Sequence, residues 1–149
     1  MNQFYSMILY KTEIKKYVKS DDDPNFKRFV IQFYGEETKD GVSYKMRGWV
    51  LQKDLSSYPE GGNLLAEGEA IAPDIKSPMY FPNNELIREE FKKDILDKIG
   101  GLAGDWDLIT LTPLQNPDGY LVVQLTVDLP SLGTITKKTN PCPPDKPQG

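Results

Sequence analysis

Histidine is absent from the 149 residues of this sequence, and cysteine occurs once, as Cys142. Without histidine, neither a Ser-His-Asp triad nor a Cys-His pair can form, and no metal site can use imidazole. A single cysteine cannot close an intramolecular disulfide, which fits a reducing compartment. Any catalysis would therefore have to rest on carboxylates, lysine, tyrosine or arginine.

Long apolar runs are also missing. The apolar segment 4–10 is followed by a lysine and is far shorter than the roughly 20 residues that span a membrane. No basic residue precedes it, so it does not resemble a secretory signal. The glycine pairs at 61–62 and 100–101 lack the spacing and the Lys-Ser/Thr of a phosphate-binding loop. These absences predict a soluble, cytoplasmic protein with no cofactor, metal or membrane partner.

Charge and composition place the chain among globular proteins. A chain of this length fits one domain, and 38% of its residues are hydrophobic. The formal charge of −4 argues against a dedicated nucleic-acid binder. Residues 1–53 carry ten Lys/Arg and seven Asp/Glu, whereas residues 54–149 carry eight and fifteen. Such a bipolar chain would be able to stack head to tail with copies of itself, although chance partition also explains the imbalance.

A hairpin over residues 105–129 dominates the sequence. The segment Asn116-Pro117-Asp118-Gly119 favours a type I turn closed by a glycine bulge. After the turn, apolar residues alternate without exception from Leu121 to Leu129, which indicates a strand with one buried face. Pairing of Gln115 with Tyr120 would place Trp106 and Leu108 on the core face. The same register would set Asp107 opposite Asp128.

A second hairpin is predicted from Phe26–Tyr34 and Val42–Lys53, with an Asp-Gly turn signal between them. One face of this hairpin is apolar. The other mixes basic and aromatic side chains, a combination that stacks bases and holds phosphates on some sheets. An ordinary solvent face, with basic stems covering the aromatics, is the competing interpretation. The candidate binding residues on this face are Arg28, Tyr34, Lys45, Arg47 and Trp49.

The remaining elements are a strand, an irregular connection and a helix. Alternation predicts a first strand over Phe4–Ile14. Residues 54–82 are rich in proline and glycine, with a short strand at Leu64–Ile71. Within Asn83–Ile99 the apolar residues recur at helical spacing and form one wide stripe. Gly100-Gly101 follows, as at the end of a helix, so one amphipathic helix is expected over Asn83–Ile99.

Proline becomes frequent after Leu129. We predict one domain over residues 1–129 and an extended Pro-rich tail over 130–149, because five of the 12 prolines lie in this last part. Such a tail suits an arm that grips a neighbour. The candidate interaction residues in it are Ile135, Pro141, Cys142, Pro143 and Pro144.

The fold expected from these elements is α+β. An antiparallel sheet of about five strands would combine two hairpins with an N-terminal strand, and the helix would pack on one face. The expected function is a non-enzymatic protein–protein interaction or structural assembly subunit, whose partner is another protein or copies of itself.

Two alternative functions remain open from the sequence. The first is a ligand- or nucleic-acid-binding module that uses the basic and aromatic sheet face. The second is a carboxylate-based hydrolase, with Asp107 and Asp128 or Glu67 and Glu69 as the acidic pair. Three adjacent acids at Asp21–Asp23 suggest a hard cation, but a solvated loop is the preferred interpretation because the calcium-loop pattern is missing.

Overall fold

The protein is mostly β. The computed structural model describes residues 2–53, 63–130 and 133–142, and nine strands in these residues form one nearly closed, barrel-like sheet. The elements in chain order are β1 (Gln3–Tyr10), α1 (Lys11–Ile14), β2 (Phe26–Thr38), β3 (Gly41–Gln52), β4 (Leu65–Ile71), β5 (Asn83–Ile87), α2 (Arg88–Phe91), a π-helical stretch (Lys92–Leu96), α3 (Asp97–Ile99), β6 (Leu108–Gln115), β7 (Leu121–Leu129), β8 (Gly133–Lys138) and β9 (Asn140–Cys142).

The strand order differs from the sheet expected from the sequence. The order is β8-β7-β6-β1-β3-β2-β5-β9, and β4 pairs with β1 off this path. The expected α+β fold with about five strands is therefore wrong. Strands β5 and β9 carry too few apolar residues, or a proline, to give a clear alternating pattern. They are held by pairing with neighbours that the sequence does not reveal.

The predicted helix over Asn83–Ile99 begins five residues too early. Asn84 and Leu86 point inward and are fully buried, while Ile87 is exposed, which is the alternation of a strand. Both edges of β5 are occupied, by β2 and by β9. The chain turns into the helix only at residue 88, and Gly100 ends it in the left-handed conformation with φ of 86°.

The β6–β7 hairpin has the predicted turn but not the predicted register. The N–H of Gly119 donates to the Asn116 carbonyl, and Gly119 has φ of 90°, as a type I turn with a glycine bulge requires. This turn pairs Asn116 with Tyr120 through the Asn116 N–H. Every partner therefore shifts by one residue, so that Leu111 faces Leu125.

The one-residue shift exchanges the two faces of β6. Ile109 and Leu111 lie in the core, and the predicted Trp106/Leu108 core face is wrong for this strand. Trp106 is nevertheless buried, because it precedes β6 and its indole N–H donates to the Gly101 carbonyl at 2.7 Å.

The first strand is shorter than predicted. β1 ends at Tyr10, and Lys11–Ile14 form a single helical turn. The N–H of Lys11 donates to the Asp107 carbonyl at 2.8 Å, and Ile14 turns into the core, where it is fully buried. The β2–β3 hairpin keeps both predicted faces but is longer, because its strands pair up to Thr38 and Gly41.

The barrel closes at a seam between β5 and β7. The side-chain amide nitrogen of Asn84 donates to the carbonyls of Leu121 at 3.1 Å and Pro82 at 3.2 Å. The Thr139 hydroxyl donates to the Asn84 side-chain oxygen at 2.7 Å and accepts from the Val123 N–H at 3.0 Å. Thr139 is the single residue between β8 on one edge and β9 on the other. We call Asn84, Thr139 and their partners the seam.

The helical segment 88–99 lies against both sides of this gap. Phe91 meets Phe26 of β2 edge to face, with ring centroids 5.7 Å apart. On the other side, Lys137 of β8 lies 3.0 Å from Asp94 and 3.5 Å from Glu90. The helical segment therefore links β2 with β8.

The region expected to be an extended tail is partly sheet. Residues 133–142 pair as β8 with β7 and as β9 with β5, so an extended tail does not describe them. Pro141 lies in β9 at the end of the strand order, where a missing N–H does least harm. In the described part of the chain, no helix is long and apolar enough to cross a membrane.

Candidate functional site

The structure places the predicted binding residues on one face of the β2–β3 hairpin. Tyr34 pairs with Lys45, Arg28 pairs with Leu51, and Arg47 and Trp49 follow on the same side of β3. The five predicted residues therefore share one side of the hairpin.

Most of the positive charge on this face is neutralised. Lys45 lies 2.7 Å from Glu36 and 2.6 Å from Glu67, and its ammonium group sits 5.2 Å from the centre of the Tyr5 ring. The carboxylate of Glu36, followed by that of Glu67, raises the pKa of Lys45 above its ordinary value. A lysine with two bound carboxylates offers little attraction to a further anion.

The other members of the face are also engaged. Arg28 donates to Glu85 at 2.6 Å, and Trp49 is buried. The Arg47 guanidinium stacks on the Tyr34 ring at 4.2 Å. Glu67 and Glu85 come from β4 and β5, whose position beside this hairpin the sequence did not reveal. Binding of nucleic acid here stays a prediction that now depends mainly on Arg47.

The tail residues divide into three groups. Ile135 of β8 is half-buried against the core. Pro141 and Cys142 lie in β9, paired with Asn84 and Asn83. Pro143 and Pro144 lie outside the described residues, so their role as a docking arm stays a prediction.

The β6–β7 register is shifted by one residue, so the prediction that Asp107 lies opposite Asp128 is wrong. Asp128 lies beside Thr134 of β8 and accepts from its hydroxyl at 2.9 Å. Glu67 is paired with Lys45.

The acidic run at Asp21–Asp23 is used within the fold. Asp21 accepts from the Leu102 N–H, and Asp23 accepts from the N–H groups of Lys19 and Asn25. Within the described ranges no group of acids, or acids with cysteine, is arranged to hold a metal ion.

A different surface stands out in the structure. Tyr80 and Phe81 are adjacent in sequence and are 47% and 36% exposed. The Tyr80 ring meets Tyr120 edge to face at 5.2 Å, next to the β6–β7 turn. We call Tyr80, Phe81 and Tyr120 the aromatic rim. The apolar segment 79–81 is visible in the sequence, but a short apolar run directly before a helix is typical of a hydrophobic staple, so the sequence does not indicate an exposed surface there.

The aromatic rim is held rigidly. The Tyr80 N–H donates to the Gly119 carbonyl at 3.0 Å, and the Tyr80 carbonyl accepts from the Leu121 N–H at 2.8 Å. Phe81 stacks on Tyr44 with centroids 4.9 Å apart and contacts Phe33 at 5.9 Å. The exposed rings therefore rest on a hydrogen-bonded backbone and on the partly buried aromatic rings of Tyr44 and Phe33.

Gln115 and Gly119 explain why the segment before the rim docks here. The Gln115 side chain donates to the carbonyls of Lys76 at 2.7 Å and Pro78 at 3.0 Å, and accepts from the Lys76 N–H at 2.8 Å. A Cβ on Gly119 would lie 2.9 Å from the Pro78 carbonyl oxygen, so only glycine permits this close approach.

No protein-family model, curated protein or solved structure matches this chain. The functional argument therefore rests on the geometry of the molecule itself.

Proposed function

We propose that the protein is a non-enzymatic assembly subunit that binds a second copy of itself through the aromatic rim. The observation that carries this proposal is the pair of exposed, adjacent aromatic rings, Tyr80 and Phe81, on a fixed backbone. Tyrosine is enriched among the residues that dominate binding energy, and aromatic residues are enriched at interfaces generally. A surface that is already ordered loses little conformational entropy on binding.

The charges beside the rim support a symmetric partner. Lys76 and Asp118 line the same shallow cleft next to Tyr120, and both are exposed. Around a two-fold axis the same patch meets itself, so a lysine from one copy is able to face an aspartate from the other. Mixed charges of this kind favour docking in one register.

The first experiment measures the molar mass of the purified chain by light scattering over a range of concentrations. We expect a dimer that dissociates on dilution. Tyr80→Ser should weaken it at least tenfold, because the variant removes an exposed ring while keeping the backbone bonds. The matched control is Tyr10→Ser: Tyr10 is 41% exposed but lies at the far end of β1, away from the rim.

A charge exchange sharpens the test. Asp118→Lys and Lys76→Glu should each weaken the dimer, and the double variant should restore it, because opposite charges would again face each other. A wild-type chain that stays monomeric at every concentration would overturn the proposal. Equal weakening by Tyr10→Ser would move the interface away from the rim.

A further inference from the structure

Three cationic side chains from three different elements line one small cleft. Lys27 comes from β2, Lys53 follows the end of β3, and Arg88 is the first residue of α2. The cleft has a volume of about 190 Å³, and its other lining residues are Pro24, Phe26 and Glu89. It lies at the opposite end of β3 from Tyr44, which packs under the aromatic rim.

A β-bulge directs Lys27 to this position. Phe26 pairs with Gln52 and Arg28 pairs with Leu51, so Lys27 is an extra residue with no partner across the hairpin. Bulges bend a strand and re-aim one of its side chains, and they are common beside binding sites. The N–H of Lys53 donates to the Asn25 carbonyl at 2.7 Å, which fixes the second lysine at the same end of the hairpin.

The lysines in this cleft lack the paired carboxylates that neutralise several other lysines in the described part of the chain. Among the described residues, neither Lys27 nor Lys53 forms an ion pair, although the chain has more acids than bases. Glu89 lies 3.8 Å from Arg88, but its side chain is 68% exposed. Three other lysines each lie within 3.6 Å of two carboxylates: Lys45, Lys92 and Lys137.

We propose that this cleft binds the phosphate group of a small phosphorylated molecule. Lysine and arginine are the side chains that hold phosphate oxygens, the arginine through its planar fork and the lysines as point charges. The volume sets the size of the ligand. Pockets for drug-sized ligands hold roughly 300–1,000 Å³, so a cleft of about 190 Å³ holds one or two phosphate groups rather than a whole nucleotide.

The test is a titration of the isotope-labelled full chain with inorganic phosphate and then with pyrophosphate, followed by amide NMR. Sodium chloride keeps the ionic strength constant. We expect saturable shifts at the amides of Lys27, Lys53 and Arg88, with pyrophosphate binding more tightly because it carries more charge. Lys27→Gln with Lys53→Gln should weaken binding at least tenfold.

The matched control replaces two other exposed lysines that form no described ion pair, as Lys15→Gln with Lys39→Gln. This control removes the same net charge and should leave the affinity within twofold of the wild type. Shifts that spread over all lysines without saturating would overturn the proposal, as would equal weakening by the control. Because the rim variants leave these residues intact, a failure here is distinguishable from a failure of the proposed dimer.

Discussion

The seam and the outer face of the β2–β3 hairpin are both built from polar side chains, but they differ in their access to water. Asn84 and Thr139 at the seam are 0% and 5% exposed. On the hairpin face, the side chains of Glu36 and Glu67, which bind Lys45, are about half exposed. The seam is a buried hydrogen-bond network, whereas the face is an ion-pair cluster in contact with solvent.

Charge alone would suggest that the ion pairs of the hairpin face contribute more to stability than the neutral seam, but the difference in burial reverses this order. A buried polar group that loses its partner cannot turn to water, so the loss costs about 1–3 kcal/mol for each group left unsatisfied. Exposed ion pairs compete with water and with salt, and most contribute about 0–1 kcal/mol. We therefore expect the neutral seam to hold the barrel together more strongly than the charged face.

The largest effect should come from Asn84→Ala. The substitution leaves the Leu121 carbonyl and the Thr139 hydroxyl without their partner in a buried site. We expect the free energy of unfolding to fall by about 3 kcal/mol, measured by urea denaturation followed by circular dichroism.

The neighbouring Asn83→Ala is the matched control, since Asn83 is exposed on the same strand. It should cost less than about 0.5 kcal/mol. A double-mutant cycle with Thr139→Val should show a coupling of about 1 kcal/mol or more. Additive losses would mean that the two side chains act independently and that the network is not a unit.

An intermediate effect is expected from Asp94→Asn, which removes a partly buried ion pair from the helix side of the same gap. The ammonium group of Lys137 lowers the pKa of Asp94 below its ordinary value. A carboxyl whose pKa is lower in the folded state stabilises the fold above its unfolded pKa of about 3.9, and that contribution disappears as the pH falls.

The stability difference between wild type and Asp94→Asn should therefore be present at pH 7 and shrink progressively below about pH 5. Urea denaturation at a series of pH values measures it. A difference that stays constant down to the most acidic point would contradict the ion pair. Lys137→Met should show a pH dependence in the same direction, because it removes the ammonium group that pairs with Asp94 and with Glu90.

The smallest effect should come from Lys45→Met. Methionine keeps an apolar stem of similar length, so the variant removes mainly the charge. We expect a loss below about 1 kcal/mol, which shrinks further in molar salt. Because the pKa of Lys45 is raised, its contribution is complete throughout the neutral range and is lost only in strong alkali. A loss larger than that of Asn84→Ala would reverse the comparison.

Local features were predictable from the sequence, and the neighbours of each strand were not. The alternation of β7 and the glycine turn before it identify a strand and a hairpin correctly. The turn was predicted correctly, but the register was wrong by one residue. The prediction paired Gln115 with Tyr120, whereas in the structure Asn116 pairs with Tyr120. The strand β5 was predicted as part of the helix, because its apolar residues also continue the apolar stripe of the helix that follows.

The same limit applies to the candidate surfaces. The five predicted residues share one side of the hairpin, but two of the acids that pair with them, Glu67 and Glu85, come from β4 and β5. The aromatic rim depends on Gln115 and Gly119, which hold the segment before Tyr80 against the hairpin turn. Contacts between residues so far apart in sequence follow from the strand order, which no local pattern determines.

The position of Thr139 also has a consequence for synthesis. Until residues 139–142 have left the ribosome, β5 lacks the partner that β9 provides, and the Asn84 amide lacks the Thr139 hydroxyl. A nascent chain that ends before these residues exposes unpaired strand edges, which are sites of aggregation. Ribosomal pausing before these residues emerge should therefore prolong the interval in which the unpaired edges are open to aggregation.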